Sequence, residues 1–249
     1  MNKQIRRIYE LTKFRFDKKT KKAHISPEDW PEEWKRVFYK VYPRFPAVDL
    51  NSSVEKSGEL ESLIASRRTT REFSNEPLDF EVVSSLIFHS AGISTPKEFG
   101  FDQAKRMYPS AGARYPIELY LVSNNIIGLE RGIYHYDVKN NMIEFLLKKN
   151  LKNYMVAATN SNMGMVPAII ILSGVISRTE VKYGVNAYRF ALLEAGHIGQ
   201  NISLLSEKLN LGSCAMGGFD NDKISKLIDL TDEEIPLYIF AIGKKNEKK

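Results

Sequence analysis

The sequence predicts a fold that combines α-helices with β-strands, and two kinds of pattern indicate it. Runs rich in β-branched and aromatic residues, which are typical of strands, occur at 117–123, 168–174 and 237–243. Apolar residues that recur at spacings of three and four over about 186–209 predict a long amphipathic helix. A chain that contains both patterns is expected to pack helices against a sheet.

The length and composition are those of an ordinary globular protein. The chain has 249 residues, of which 43% are hydrophobic and 27% charged, enough for one full-sized domain with or without an appendage. Its single cysteine, Cys214, excludes an internal disulfide and fits a reducing compartment. The N-terminus lacks the apolar core of a signal peptide, and no apolar run is long enough to span a bilayer. We therefore expect a soluble, cytoplasmic protein without a membrane partner.

The net charge of +6 does not by itself indicate nucleic-acid binding. Much of the excess lies in two runs of lysines, at 18–22 and 244–249. Such runs are more often solvated termini than binding surfaces, and no recognisable nucleic-acid module accompanies them. No nucleic-acid partner is expected.

Residues 1–50 are expected to form an N-terminal arm, and residues 51–249 the main domain. The arm holds aromatic residues and prolines in a polar context without long periodic runs, namely Trp30, Pro31, Trp34, Tyr39, Tyr42, Pro43 and Pro46. Such a segment is expected to be irregular and to dock through its aromatic side chains.

The main domain is expected to begin with two helices. Ser57 can cap a short helix whose apolar face includes Leu60 and Ile64. Asp79 can cap a second helix, which ends near Gly92. A strand at 117–123 follows these helices.

The second half of the chain is expected to contain the remaining strands and the long helix. GIYHYDV and MIEFLL flank the polar tripeptide KNN and predict a hairpin. The continuous apolar run at 168–174 is typical of a strand buried on both faces. In the long helix, Gly196, Gly199 and Ser203 form a stripe of small residues, which predicts close packing against a second helix or a ligand.

The first candidate site is the arginine segment, SRRTTREF (66–73). Arginine side chains bind phosphate through paired, charge-assisted hydrogen bonds, and Thr69 can add another. Alternatively, Arg67 and Arg68 only complement the negative end of the preceding helix. The segment alone supports both interpretations equally.

Two further candidates are rich in small residues. In the small turn, YPSAGARYPIELY (108–120), Ser110, Ala111 and Gly112 could bring backbone amides to a planar ligand, although the residues alone favour a plain turn before a strand. The glycine segment, LGSCAMGGF (211–219), could pack over a flat ring or close a tight loop. Its Cys214 is expected to be a small buried side chain rather than a nucleophile.

The fourth candidate is the pair Lys182 and Tyr183, expected at a helix entrance beside Gly184. A lysine in an apolar site can have a lowered pKa, and a tyrosine hydroxyl can donate a proton. A surface lysine beside a core tyrosine is the commoner arrangement, and His197 is similarly expected to be a core histidine.

Several kinds of site are not supported. The four histidines have no metal-ligand spacing, so no metal is expected. The chain has neither a G-x-S-x-G nucleophile elbow nor a Walker-type phosphate loop, and a G-x-G-x-x-G dinucleotide fingerprint is also missing. Hydrolases and nucleoside-triphosphatases are therefore not indicated.

The order of these segments resembles a known family. RRTTREF, PSAGARYPIELY, KYGVNAYRFALLEAGHIGQN, LGSCAMGGF and a terminal IFAIGK follow one another as in the SagB-type dehydrogenase branch of the nitroreductase superfamily. YELTK (9–13) and KVYPRFP (40–46) are similar to N-terminal signatures of that branch. The resemblance covers nearly the whole chain.

The resemblance implies an α+β fold with a central, mainly antiparallel sheet flanked by helices, in an intertwined homodimer that binds FMN at its interface. By position, Arg67, Arg68, Thr69 and Arg71 would hold the FMN phosphate and ribityl chain. Ser110, Ala111 and Gly112 would approach the flavin from the other subunit, Gly217 and Gly218 would lie beside the ring, and Lys244 would pair with the phosphate.

The resemblance also implies a reaction. Enzymes of this branch oxidise thiazoline and oxazoline rings of peptides to thiazoles and oxazoles, and Lys182 and Tyr183 match their catalytic pair. A cyclodehydratase would be the expected partner. Two alternatives remain open: an NAD(P)H-dependent nitro, quinone or enone reductase, and a flavin-binding scaffold subunit of a peptide-modifying complex.

Overall fold

A six-stranded antiparallel sheet forms the centre of the fold. The structure is a computed structural model that describes residues 1–15, 28, 31–35, 39–40, 43–49, 58–95 and 104–246. Its helices are α1 (Lys3–Thr12), α2 (Glu32–Lys35), α3 (Glu59–Ser66), α4 (Phe80–Ala91), α5 (Lys152–Thr159), α6 (Ser177–Tyr183), α7 (Ala187–Lys208) and α8 (Asn221–Leu227). Its strands are β1 (Leu78–Asp79), β2 (Ile93–Thr95), β3 (Lys105–Arg106), β4 (Ile117–Ser123), β5 (Ile126–Ile127), β6 (Gly132–Asp137), β7 (Met142–Lys148), β8 (Ala168–Val175), β9 (Leu211–Met216) and β10 (Glu234–Lys244).

The strand order of the central sheet is β7-β6-β4-β8-β10-β9, and every neighbouring pair is antiparallel. Helices cover both faces. Ile170 and Leu172 of β8 pack into the core shared with α4 and α7, whereas Ile169 and Ile171 pack into the core shared with α5 and α8. The continuous apolar run of β8 follows from this two-sided burial. The α+β class, with a mainly antiparallel sheet flanked by helices, is confirmed.

The long helix and the hairpin are found where the sequence predicts them. Helix α7 ends within one residue of the predicted bounds, and β6 pairs with β7. The packing of the small residues on α7 differs from the expectation. A Cβ placed on Gly199 would lie 2.7 Å from Cζ of Phe240, so this glycine admits an aromatic ring of the sheet rather than a second helix, while Gly196 faces open space.

The first residues of the predicted arm are helical, which corrects the expectation of an irregular segment. In α1, Ile5 is fully buried and Tyr9 nearly so, four residues apart on one face. Of the aromatic residues expected to dock, Trp30 and Tyr42 lie outside the described residues, and Tyr39 is 83% exposed. The division at residue 50 remains a prediction.

Three local expectations also need correction. Helix α3 exposes Leu60 and Ile64, which were expected on its inner face, and Ser57 lies outside the described residues. His197 is exposed on α7 rather than buried. Strand β9, at the edge of the sheet, was not predicted because its small residues LGSCAM lack the β-branched signature of a strand.

Within the described part of the chain, no helix combines the length and the apolar character needed to cross a membrane.

Candidate functional site

Lys182 and Tyr183 lie in the last turn of α6, not at a helix entrance. Gly184, with φ of 54°, ends this helix and allows the chain to turn into α7. The Tyr183 ring packs edge-on against Phe190, with their centroids 4.9 Å apart. Lys182 Nζ lies 5.4 Å from the centroid of the Tyr183 ring. The lysine is exposed and the tyrosine half-buried.

The small turn lies directly against this pair. Gly112 has φ of 59°, in the left-handed region that favours glycine. A Cβ placed on Gly112 would lie 2.6 Å from Tyr183 Oη and 2.9 Å from Lys182 Nζ. Two segments about 70 residues apart in the printed sequence are thus brought together, with the lysine and tyrosine ends close against a residue that has no side chain.

Glu194 is a residue of this region that sequence reasoning missed. It lies on α7 at 2% exposure, and its carboxyl group faces the Ser110 hydroxyl at the start of the small turn. Burial raises the pKa of Glu194 to about 7, although the Ser110 hydroxyl and the Arg106 charge act in the opposite direction. The available signal was an acidic residue beside Ala191 and Ala195 on the apolar stripe of a helix.

A charged network fixes the base of α6. His135 of β6 bridges Glu118 and Glu144, with a nitrogen–oxygen distance of 2.9 Å to each. Arg178, in the first turn of α6, pairs with Glu118 and donates to the carbonyl of Tyr115 at 3.3 Å. The hydrogen bond to Glu118 raises the pKa of His135 against the effect of burial, and Glu144 adds to the rise. The helix that carries Lys182 is therefore tied to three strands of the sheet.

The arginine segment runs beside the end of β10. The Thr70 amide donates to the Ser213 carbonyl at 2.9 Å, and the Ser74 amide donates to the Lys244 carbonyl at 3.0 Å. A Cβ placed on Gly212 would lie 2.6 Å from a Thr70 methyl carbon. These contacts place the arginine segment, the glycine segment and Lys244 at one edge of the sheet.

The side chains of the arginine segment differ in the hydrogen bonds that they make. Arg68 Nη1 donates to the carbonyls of Ala65 and Arg67, at 2.8 and 2.9 Å, so it satisfies the end of α3. This contact favours the helix-end interpretation for Arg68. The side chains of Arg67, Thr69 and Arg71 make no hydrogen bond or ion pair with any residue that the structure describes, which leaves them available to an anion.

Lys244 has a protein partner in this structure. Its Nζ donates to Glu76 Oε2 at 2.7 Å, and both side chains are solvent-exposed. The hydrogen bond to Glu76 raises the pKa of Lys244. The two residues line an open, polar cavity of about 610 Å³ together with Ser74, Asn210, Lys245 and Asn246. An anion at Lys244 would have to compete with the Glu76 carboxylate.

Gly217 and Gly218 follow the end of β9 and are exposed. Among the described residues, a Cβ placed on Gly217 would have no atom within 4 Å, and one placed on Gly218 would meet ring atoms of Phe14 at 3.9 Å. The part of the chain that the structure describes therefore leaves this backbone largely uncovered. Phe14, which sequence reasoning did not single out, borders this surface. Cys214 is buried as expected, and burial raises the pKa of its thiol.

The predicted residues thus form two groups. The arginine–glycine group contains Arg67, Arg68, Thr69, Arg71, Gly217, Gly218 and Lys244, and the lysine–tyrosine group contains Ser110, Ala111, Gly112, Lys182 and Tyr183. Among the described residues, no hydrogen bond or ion pair joins the two groups.

Comparison with known proteins identifies the family. The profile of the Nitroreductase family matches residues 64–244. The chain is 29% identical to a Methanocaldococcus jannaschii protein named as a nitroreductase, MJ1384, over 76% of this chain and 92% of that protein. It is 26% identical to the microcin B17-processing protein McbC of Escherichia coli, over 58% of this chain and 56% of McbC.

The fold has a matching solved structure. The Escherichia coli microcin synthetase McbBCD complex, with truncated pro-MccB17 bound, contains a chain that superposes with a TM-score of 0.77. The match covers 99% of this chain and 95% of that chain at 20% identity, so it establishes the fold alone. From the extent of the family match, the chain belongs to the nitroreductase family and is an oxidoreductase.

Proposed function

We propose that this protein is an FMN-dependent dehydrogenase that oxidises thiazoline or oxazoline rings of a peptide to thiazoles or oxazoles. The observation that carries the proposal is the pair formed by Lys182 Nζ and Tyr183 Oη, which both lie close against Gly112. A reductase of small acceptors needs no base for a substrate carbon, whereas aromatisation of an azoline requires removal of a carbon-bound proton.

The residues at the edge of the sheet fit FMN. Members of the nitroreductase family typically bind flavin. Arg67, Thr69 and Arg71 would hold the phosphate, because their side chains have no partner in the described structure. Gly217 and Gly218 offer a surface without side chains to a flat ring. When bound, the flavin would supply a two-electron acceptor.

The protein's own contribution to the reaction is the movement of the proton. Lys182 would accept it at Nζ, and Tyr183 Oη would donate a hydrogen bond that orients the ring. The packing of Tyr183 against Phe190 fixes the direction of this hydroxyl. The absence of a side chain at Gly112 lets the small turn approach both polar ends closely.

The relatives support a peptide as the substrate class. McbC is named for the processing of microcin B17, and the microcin synthetase complex holds a truncated precursor peptide. Because an azoline must first be formed by cyclodehydration, the proposed partner of this chain is a cyclodehydratase. The chain spans about half the length of McbC, so its own substrate and partner remain part of the proposal.

A second copy of the chain would complete the site. Among the described residues no hydrogen bond or ion pair joins the two groups, and α7 exposes apolar side chains between its buried positions. Leu192 and Leu193 are 43% and 56% exposed, next to the exposed Gly196. Such a stripe fits a homodimer interface in which the small turn of one subunit approaches the arginine–glycine group of the other.

The competing proposal is an NAD(P)H-dependent reductase of nitro, quinone or enone compounds, with NAD(P)H as its electron donor. The observation in its favour is the similarity to MJ1384, which is named as a nitroreductase and is matched over most of its length.

An anaerobic absorbance titration of the FMN-loaded protein distinguishes the two. We expect the flavin spectrum to persist with NADPH and to bleach with an azoline-containing peptide, which then has one aromatic ring per flavin reduced. Rapid bleaching by NADPH with an inert azoline peptide would identify the reductase. If FMN did not bind, both proposals would be contradicted.

Because Arg68 and Arg71 differ in their hydrogen bonds, we expect their substitutions to differ in the effect on FMN affinity. Arg71→Ala should weaken FMN binding by about 10- to 100-fold, because it removes a hydrogen-bonding charge from the phosphate. Arg68→Ala is the matched control, since that guanidinium is engaged at the end of α3, and little change is expected. Fluorescence titration with FMN measures both. Equal losses in the two variants would argue against the assigned roles.

A further inference from the structure

Glu194 is a buried acid that the proposed reaction does not use. It is 2% exposed, and neither of its carboxylate oxygens has a hydrogen-bond partner within ordinary distance in the described structure. Glu118, a partly buried acid of the same region, is held by His135 and Arg178. A carboxyl group without such partners is costly to bury, and burial of this kind is often tied to function.

The groups that face Glu194 come from β3 and from the first residues of the small turn. Ser110 Oγ accepts from the Tyr115 amide at 2.9 Å, so its own hydrogen remains available for Glu194. The charged or titratable neighbours are Arg106 of β3 and Tyr108. Arg106 Nη1 donates to Tyr108 Oη at 3.0 Å. Glu194 is therefore opposite one free hydroxyl and one cation that is engaged elsewhere.

Ser110 connects Glu194 to the lysine–tyrosine group. It begins the turn whose Gly112, two residues later, lies against Lys182 Nζ and Tyr183 Oη. An interaction that held Ser110 would therefore help to set the distance between the turn and these two polar ends. Glu194 would act on Lys182 and Tyr183 through Ser110 and the turn.

We propose that Glu194 is a positioning residue whose carboxyl group receives the Ser110 hydroxyl and so holds the small turn against Lys182 and Tyr183. Its catalytic consequence rests on the proposed function. Ionisation of Glu194 would strengthen the attraction for Ser110 and draw Arg106 away from Tyr108, which shifts the turn. Since burial raises the pKa of Glu194 to about 7, this shift would fall near neutral pH.

The first test follows Lys182 itself and does not need turnover. Labelling of Lys182 by acetic anhydride, quantified by mass spectrometry between pH 5 and 9 on the FMN-loaded protein, reports the access and basicity of this amine. In the wild type the labelling rate should show an inflection near pH 7 in addition to the lysine's own titration, and Glu194→Gln should remove that inflection. Glu207→Gln is the matched control, a glutamate to glutamine change on the same helix next to Lys245, and should retain it.

The second test follows the reaction. Glu194→Gln should lower kcat for an azoline peptide by on the order of 10- to 100-fold with a smaller change in KM, because a shift of about 1 Å in a positioned group has that effect. Glu194→Asp should recover part of the rate, which a general loss of stability would not allow.

The outcomes separate the two proposals. If Lys182 labelling in Glu194→Gln matches the wild type at every pH, the positioning role is wrong, whatever the enzyme's activity. If the labelling inflection is lost but no azoline is oxidised by the wild type, the positioning role stands and the proposed substrate is wrong. Thermal unfolding checks that each variant is folded.

Discussion

Lys182→Ala is expected to lower kcat for azoline oxidation by on the order of 10²- to 10⁴-fold, the usual contribution of a positioned base. FMN should stay bound, because Arg67, Thr69 and Arg71, which would hold its phosphate, are not altered. The lysine is exposed, so its loss should leave stability nearly unaffected. Steady-state oxidation of an azoline peptide, followed by mass spectrometry, measures the rate.

Lys226→Ala is the matched control. Both lysines lie in the last turn of a seven-residue helix, so their effects on helix stability should be similar. Lys226 is remote in sequence from the small turn, and its loss should leave kcat within a factor of two or so. Azoline oxidation that is equally fast in Lys182→Ala and in the wild type would remove the observation on which the proposed dehydrogenase rests.

Tyr183→Phe should distinguish the contribution of the Tyr183 hydroxyl to kcat from that of its ring. The phenylalanine keeps the edge-on packing against Phe190, so a fall in kcat would come from the missing hydroxyl alone. We expect a smaller loss than in Lys182→Ala, because a hydrogen-bond donor orients the substrate while the lysine accepts the proton.

The main elements of the fold were predictable because each has a local signature. The run AIIILSG is apolar at every position except its last ones, and β8 is indeed buried on both faces. Helix α7 shows a sustained stripe of apolar residues and ends where that stripe ends. Strand β9 has no such signature, since its six residues are held in place by pairing with β10 and by Thr70 against Gly212. Long-range pairing of this kind overrides local propensity.

The candidate site was predictable only in part, for a similar reason. The motifs predicted candidate segments, but not that Gly112 lies against Lys182 and Tyr183, because that contact joins two distant parts of the chain. The roles of the arginines could not be ranked until the hydrogen bonds of Arg68 were known. The sequence did not indicate Glu194 as a site residue, because an acidic residue in a helix usually lies on the solvent side.

Phe240→Ala is expected to destabilise the protein by about 3–5 kcal/mol, the usual cost of removing a fully buried phenylalanine. Phe240 is fully buried on β10, its ring centroid is 4.6 Å from that of Tyr238, and its edge fills the space left open by Gly199 of α7. The substitution would leave a cavity where the helix that carries Glu194 meets the sheet. Urea unfolding followed by circular dichroism measures the change in the free energy of unfolding.

Phe145→Ala supplies the matched control in the same sheet. Phe145 lies on the edge strand β7, is 45% exposed and stacks on Tyr134 with their centroids 4.7 Å apart. Its loss removes one aromatic contact without opening a buried cavity, so about 1 kcal/mol is expected. If the two variants lost equal stability, α7 would not be held to the sheet by Phe240. The positioning of the small turn from that helix would then lack its structural basis.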